Sequence, residues 1–339
     1  MRAIVLFSGG LDSVLATKIL QRQNIEVIGL NFVTPFHDAL ADSQKRAEEV
    51  GIELVVHRTG DDYLQMLRSP KWGYGKAVNP CIDCRVTMCC EAKKLCEVRD
   101  ADFVATGEIV GQRPNSQMMH QLKLIERESG LEGRLLRPLS AGVLTPTILE
   151  QEGKIDRNKL HSYTGRGRGN LIVLARENYG VKKIPQPSTG CQLCETSYAP
   201  RVRDLFRYEK RPTNWDADLL NCGRQIRISP KIKAVLGRNA DQCDRLHVLF
   251  MRHDAKPCLL FVPESFTGPS LVLVGASRET MTDMEWNDAL LLGGSLVVQF
   301  TNPAKFANVE PQLRVRFGES ETVITATTDA DSNRFSVIE

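Results

Sequence analysis

The chain has 339 residues, 42% hydrophobic and 25% charged, which are ordinary globular values; at about 100–200 residues per domain the length predicts two domains or one large domain with an appendage. No apolar run approaches the roughly 18–20 residues that cross a bilayer, residues 1–7 run into Ser8 without an h-region or cleavage site, and ten cysteines fall far below a disulfide scaffold, so a cytoplasmic protein without a membrane partner is expected. The net charge of +3 conceals an asymmetry, with 18 Lys and Arg against 7 Asp and Glu in residues 154–240, a net +11, and 26 against 34 elsewhere, a net −8; a polyanion-binding surface thus competes with a merely solvated basic face.

In chain order, Ala3–Phe7 is a short apolar run, and Asp12–Gln23 has helical spacing with Leu11, Leu15 and Ile19 on one face. Glu26–Phe32 is a second strand, Asp38–Val50 a charged helix, and Glu53–His57 a third strand. A helix over Arg85–Arg99 and a strand over Asp102–Thr106 follow. Strands alternating with helices imply βαβ units and a parallel sheet covered on both faces. The continuously apolar AIVLF and DFVAT runs fit strands buried on both sides. Residues 111–169 are less regular, 170–180 read as a helix, and 199–221 read as a polar connector. Beyond it LHVLFM, PCLLFVP, SLVLVGA, SLVVQF and QLRVRF are strand candidates, with one helix near Asp283–Leu292. The predicted fold class is α/β, with a nucleotide domain over 1–210 and a smaller α+β domain over 221–339.

Ser8-Gly9-Gly10-Leu11-Asp12-Ser13 lies between the first strand and the first helix. Two glycines let successive N–H groups curl toward one point, and the helix N-terminus adds positive charge, so the turn suits phosphate. Ser8 and Ser13 offer hydroxyls, and Asp12 can orient a metal or cap the helix. An ordinary capped turn is the alternative.

SGGLDS resembles the SGGxDS loop of the PP-loop ATP pyrophosphatases. That resemblance implies a Rossmann-like sheet, and a reaction in which ATP with Mg2+ adenylates a carbonyl oxygen before a nitrogen or sulfur nucleophile displaces AMP. It also implies nucleotide contacts from Ser8, Gly9, Gly10, Leu11, Asp12 and Ser13, and from Asn31 and Phe32, which end the second strand where the family places adenine. Thr106-Gly107 resembles the ATGH segment of tRNA thiouridine synthetases, with Glu108 where histidine is usual.

Two CxxC pairs, Cys81–Cys84 and Cys191–Cys194, are 107 positions apart from Cys84 to Cys191, too far for a zinc ribbon, so only the fold can bring them together. A structural zinc site with four thiolates, core cysteines and a reactive site are the alternatives, the last because both pairs are placed in loops that can face the C-terminal edge of the sheet. NPCIDC is similar to the NPxxxC segment of tRNA 2-thiouridine synthetases, whose second cysteine falls where Cys191 does. The pattern is also similar to iron–sulfur tRNA thiolation enzymes, which implies a 4Fe–4S cluster on Cys81, Cys84 and Cys191. Gly165-Arg166-Gly167-Arg168 and the Pro185–Cys191 segment match further features of that branch, whereas Cys194 departs from it. Cys89 and Cys96, seven apart on a helix, read as core.

The resemblance implies tRNA thiolation, with Cys191, Cys84 and Asp12 as catalytic residues, tRNA as substrate, and sulfide or a sulfur-carrier protein as sulfur donor. The alternatives are a PP-loop amidotransferase or small-molecule sulfur-insertion enzyme, and an RNA-binding protein with a degenerate nucleotide domain. Residues 222–339 weakly resemble the NFACT-R-like domain around Gly223-Arg224 and Gly237-Arg238-Asn239. RNA contact is expected from Arg224, Arg227, Lys231, Lys233 and Arg238; an oligomerisation or packing domain is the competing reading.

Overall fold

The structure of the chain is a computed structural model that describes residues 1–186, 190–307, 309–327, 335, 337 and 338. Pro187, within the Pro185–Cys191 segment, lies outside the described residues. The chain divides into two compact units, Met1–Cys194 and Glu195–Glu339.

The first unit runs β1 (Arg2–Leu6), α1 (Leu11–Gln21), β2 (Glu26–Val33), α2 (Leu40–Val50), β3 (Glu53–Arg58), α3 (Asp61–Arg68), α4 (Cys81–Arg99), β4 (Phe103–Thr106), α5 (Met119–Ser129), β5 (Leu135–Leu136), α6 (Ile148–Gln151) and α7 (Arg168–Val173), with a π-helical turn over Leu174–Asn178 continuing α7. Its five strands form one sheet in the order β3-β2-β1-β4-β5, and every pairing is parallel. Alternate residues of each strand feed opposite faces. Ala3, Val5, Phe103 and Ala105 pack with Leu11, Leu15 and Ile19 of α1 and Leu171 of α7. Ile4, Leu6, Ile28 and Val104 pack with Cys89 and Ala92 of α4 and Ile125 of α5. This is a Rossmann-like α/β domain. The chain leaves β1 toward β2 on one side and returns to β4 on the other, and the carboxyl ends of β1 and β4 are the switch point at which α/β sheets bind ligands.

Helix α4 begins at Cys81, not at Arg85 as the sequence predicts. Pro80, with φ −86, precedes the first turn, where its missing N–H costs nothing. The Cys84 N–H donates to the Pro80 carbonyl at 2.9 Å. The first CxxC therefore lies in a helical turn, not in a loop. Helix α5 was hidden in the irregular stretch; only Leu122 and Ile125 and a buried Ser129 mark its inward face.

The second unit contains α8 (Ala199–Tyr208), α9 (Asn214–Leu220), β6 (Arg224–Arg227), β7 (Lys233–Leu236), α10 (Ala240–Phe250), β8 (Cys258–Pro263), β9 (Leu271–Val274), α11 (Asp283–Gln299), β10 (Gln312–Phe317) and β11 (Ser320–Thr325). Its sheet has the order β11-β10-β8-β9-β7-β6, antiparallel throughout. One face, with Leu259, Phe261, Leu271, Leu273, Leu313 and Val315, packs on Trp286, Ala289 and Leu296 of α11. The other, with Val235, Leu260 and Val272, packs on Trp215 and Leu219 of α9 and Leu246 and Leu249 of α10. The 199–221 connector is thus two helices, and LHVLFM and SLVVQF end α10 and α11 instead of forming strands. Of the expected RNA contacts, Lys233 is buried and paired with Asp204 at 3.5 Å, and Arg227 donates to both Asp204 oxygens at 3.1 and 2.7 Å. Those two cations hold β6 and β7 to α8. No helix among the described residues is long and apolar enough to cross a membrane.

Candidate active site

The turn after β1 is shaped by glycine. Gly9 has φ +70, and a Cβ there would lie 2.9 Å from Ser43 Cα. Gly10 is the α1 N-cap, and no side chain caps that helix end, so its first N–H groups are presented to solvent or to a ligand. Ser13 Oγ donates to the Gly10 carbonyl at 2.9 Å, and Ser8 Oγ accepts weakly from Gly10 N–H at 3.5 Å. Leu11 is 4% exposed and belongs to the core, so only its backbone is available to a ligand. Asn31 Nδ2 donates to the Phe7 carbonyl at 2.9 Å and to Ser43 Oγ at 3.0 Å; it ties the end of β2 to the residue before the loop. Phe32 is half-buried, its ring 4.9 Å from that of His57.

From β4, Gly107 packs directly on the loop: a Cβ there would sit 2.5 Å from the Asp12 carbonyl carbon. Asp12 Oδ2 accepts from Gln112 Nε2 at 3.0 Å. Burial pushes the Asp12 carboxyl above its ordinary value, while the Gln112 hydrogen bond and the charges of Arg113 and Arg168 pull it back. Arg168, from the GRGR segment, therefore reaches the loop's electrostatic neighbourhood. Sequence reasoning missed Gln112 and Arg113, whose only signal was a polar Gly-Gln-Arg-Pro run after the Thr106-Gly107 segment.

Thr106 Oγ1 donates to Glu108 Oε2 at 3.1 Å. Glu108 is buried, accepts from Arg137 Nε at 3.1 Å and lies 3.5 Å from Arg85 Nε. Arg137 is itself buried and also pairs with Glu126. Burial opposes ionisation of Glu108, but Arg137 and Arg85 outweigh it and hold the carboxyl below its ordinary value. Glu108 is a structural anion close to the SGGLDS turn.

The two CxxC pairs converge. Val78 N–H donates to the Leu193 carbonyl at 3.2 Å, and Gln192 N–H to the Phe36 carbonyl at 3.1 Å, which fastens the Cys191–Cys194 turn beside the start of α4. The Cys81 and Cys194 thiols act on each other's ionisation. Asn79 Nδ2 donates to Cys81 Sγ at 3.2 Å, and the Tyr63 hydroxyl lies 3.2 Å from Cys84 Sγ. Cys81, Cys84 and Cys191 all add to the electrostatic environment of Tyr63. Cys194, against burial and with help from Asn79, Arg85 and Arg113, lowers Cys81 to about 6. Burial pushes Cys84 up to about 12, and Cys81 raises Cys194. Arg113 acts on both Asp12 and Cys81, so loop and thiols share one end of the sheet. Of the remaining thiols, Cys89 is in the core and Cys96 packs against it.

The expected cluster ligands do not form a metal site. Among the described residues no three His, Cys, Asp or Glu side chains are grouped to hold a metal ion. Cys81 Sγ accepts from Asn79 Nδ2, and Cys84 Sγ meets the Tyr63 hydroxyl. An iron–sulfur cluster on Cys81, Cys84 and Cys191 is unsupported.

Residues 1–128 match the family described as tRNA methyl transferase HUP domain. The match covers the loop, Phe32, Cys81, Cys84, Thr106 and Gly107, and ends before Cys191 and the second unit. Two curated relatives are tRNA-specific 2-thiouridylases MnmA, from Rhizobium rhizogenes, 27% identical over 140 residues, and from Methylobacterium nodulans, 27% identical over 141 residues. These alignments cover 35% and 33% of this chain and 34% of each relative, so the chain spans about a third of the length of the curated relatives it matches. Among solved structures, a predicted subunit of tRNA methyltransferase from Methanocaldococcus jannaschii aligns at TM-score 0.31 and 16% identity over 45% of this chain and 76% of that one. A 4-thiouridine synthetase in complex with RNA and ATP aligns at 0.38 and 19% over 61% and 52%.

Proposed function

We propose that the protein is an ATP-dependent tRNA sulfurtransferase that adenylates a uridine carbonyl oxygen and replaces it with sulfur. The observation that carries this reading is the convergence of the two CxxC pairs at the end of the sheet that holds the SGGLDS turn, with Arg113 acting on both Asp12 and Cys81.

In this reading the N–H groups of Gly9 to Ser13 and the N-terminus of α1 hold the ATP phosphates, and Phe32 lies beside the base. Asp12 is the carboxylate suited to Mg2+, which when bound with ATP neutralises phosphate charge. The uridine oxygen attacks the α-phosphorus, pyrophosphate leaves, and loop N–H groups, with Arg113 and Arg168 nearby, stabilise the charge that develops. A persulfide on Cys191, its terminal sulfur passed on as sulfane sulfur by a sulfur-carrier protein that itself bears a persulfide, attacks the activated carbon through that terminal sulfur, and AMP departs. Cys84 then attacks Cys191 Sγ, which releases thiolated uridine and leaves a Cys84–Cys191 disulfide. The half-buried Cys84 thiol needs a proton acceptor for that step, and Tyr63 positions it.

The test is nucleoside mass spectrometry of tRNA incubated with protein, ATP, Mg2+ and polysulfide as a source of sulfane sulfur. Thiouridine should form, with one pyrophosphate released per thiouridine. In Cys191→Ala thiouridine should vanish while ATP–pyrophosphate exchange continues, and in Asp12→Ala both should vanish. Exchange without thiouridine in the intact protein would move the reading to another PP-loop chemistry.

A further inference from the structure

Two features beside the thiols take no part in the proposed chemistry: the buried Asp83, which stands between Cys81 and Cys84, and the aromatic and basic loop that precedes α4. Asp83 is 4% exposed. A buried carboxylate needs donors, and here they are backbone groups: Lys71 N–H donates to Asp83 Oδ1 at 2.7 Å and Trp72 N–H to Oδ2 at 3.3 Å. Farther along, Gly75 N–H donates to the Asn79 carbonyl at 2.9 Å, Ala77 N–H to Asn79 Oδ1 at 3.2 Å, and the Tyr74 hydroxyl to the Leu67 carbonyl at 2.6 Å. The loop is thereby fixed to the helical turn that carries both thiols of the first CxxC. It also abuts the segment that contains Gln112 and Arg113, since a Cβ at Gly75 would lie 2.6 Å from Asn115 Nδ2.

This fixed backbone displays rings. Tyr74 is 43% exposed and Trp72 is half-buried, with Lys71 Nζ 4.6 Å from the centre of the Trp72 ring. The other two tryptophans, Trp215 and Trp286, are buried in the cores of the second unit. Residues 68–79 contain Arg68, Lys71 and Lys76 and no carboxylate; Glu128 pairs with Lys71 Nζ at 2.6 Å, and Lys76 is exposed. Planar faces beside cations match the unstacked bases and the phosphates of a single strand. An acidic peptide would engage the cations and leave the rings idle, and the paired bases of a duplex turn no face outward. We propose that loop 70–79 is a stacking platform for an unpaired RNA strand: Trp72 and Tyr74 take bases that flank the target uridine, and Lys76 takes a neighbouring phosphate. The identity of the target rests on the sulfurtransferase reading, whereas binding of the strand does not. A platform already held in place loses little conformational freedom when the strand arrives.

The test titrates the full chain, without ATP, with a single-stranded oligouridylate and reads tryptophan fluorescence. Stacking on Trp72 should quench the emission. Trp72→Phe keeps a ring and should bind nearly as well in a filter assay, but without the quench. Trp72→Ala should weaken binding roughly fivefold or more, and Lys76→Gln should flatten the slope of log affinity against log salt by about 0.7. Polyglutamate and an RNA duplex of equal length should bind wild type and Trp72→Ala alike. Should Trp72→Ala fail to fold, the quench in wild type and its absence in Trp72→Phe decide. Saturating RNA without a quench, or wild-type affinity in a folded Trp72→Ala, would overturn the platform. Quenching and ring-dependent binding in a protein that makes no thiouridine would keep the platform and end the sulfurtransferase reading. Thiouridine made by Trp72→Ala at the wild-type KM for tRNA would do the reverse.

Discussion

A methyl group added at position 107 would lie 2.5 Å from the Asp12 carbonyl carbon and oxygen and 2.7 Å from the Ser13 amide nitrogen. All three are backbone atoms, so Gly107→Ala has to displace the first turn of α1. Overpacking of this kind costs about 1–3 kcal/mol, and the displaced groups are those proposed to hold phosphate. The variant should unfold at lower urea and lose most of its ATP affinity in calorimetric titration, whereas full affinity would move the nucleotide away from this turn. At the thiols, Cys81 is held at about 6, and the thiolate is the nucleophile. Its alkylation by iodoacetamide should therefore climb through pH 6 and be nearly flat by neutrality, while Cys84, held up at about 12, stays unmodified. Cys194→Ala removes the first cause of the shift and should move the Cys81 midpoint upward, as residue-resolved mass spectrometry at stepped pH would read. The loop and both CxxC pairs were legible in the sequence because their residues are contiguous. The Tyr63–Cys84 contact and the Gln112–Asp12 hydrogen bond were not, because each joins residues that only the fold makes neighbours.

At the scale of elements, Arg137 ties β5 to β4 and α5 through Glu108 and Glu126. Arg137→Met would leave the buried Glu108 with Arg85 at 3.5 Å as its nearest cation, and stripping one partner from a buried pair costs about 3–5 kcal/mol. Glu108 is held below its ordinary 4.5, so its stabilising contribution is complete above that pH and is lost as pH falls through its lower folded value. Urea unfolding should show a large gap between wild type and Arg137→Met at pH 7, and the gap should narrow below pH 4.5. In α11 two effects oppose each other. Gly293→Ala gains about 1 kcal/mol of helix propensity, but its Cβ would sit 2.1 Å from Phe261 Cζ. The Phe261 ring is fully buried in a close-packed core with nowhere to retreat, so the clash should win and lower the unfolding midpoint. Gly169→Ala in α7 has open space around its Cβ and should instead stabilise by about 0.4–1 kcal/mol. These packings explain which elements could be read. The strands of the first sheet were legible because burial on both faces leaves them continuously apolar. LHVLFM and SLVVQF are equally apolar for a different reason: they close helices whose polar starts, Asn239 accepting from Gln242 N–H and Thr282 from Glu285 N–H, lie several residues upstream. A short apolar run cannot by itself distinguish the two.

For the whole molecule, the charge asymmetry was legible as a sum but not as a surface. The +11 of residues 154–240 includes Lys233 and Arg227, which Asp204 engages inside the second unit, and Arg201, which donates to the Leu220 carbonyl at 3.0 Å. Those cations stabilise the fold and offer little to a polyanion. Arg203, Arg207 and Arg211 are exposed on and just after α8, and the half-exposed Tyr208 ring lies under both Arg207, at 5.5 Å, and Arg227, at 4.5 Å. An exposed guanidinium row with an aromatic ring beside it suits RNA phosphate and base stacking. If tRNA is the substrate, this row is where the second unit should meet it. Each phosphate contact contributes roughly 0.7–0.9 to the slope of log affinity against log salt. Replacing Arg203, Arg207 and Arg211 together by Gln in the full chain should therefore flatten that slope by about 2–3 and weaken binding at every sequence tested, with thermal stability little changed. Lys233→Gln is the counterpart: it should lower stability by removing a buried charge partner of Asp204 while the salt slope stays as in wild type. Filter-binding isotherms between low and physiological salt would read both variants. A slope unchanged in the triple variant would leave the second unit's charge as a solvated face and make Arg113 and Arg168, beside the SGGLDS turn, the next cations to replace.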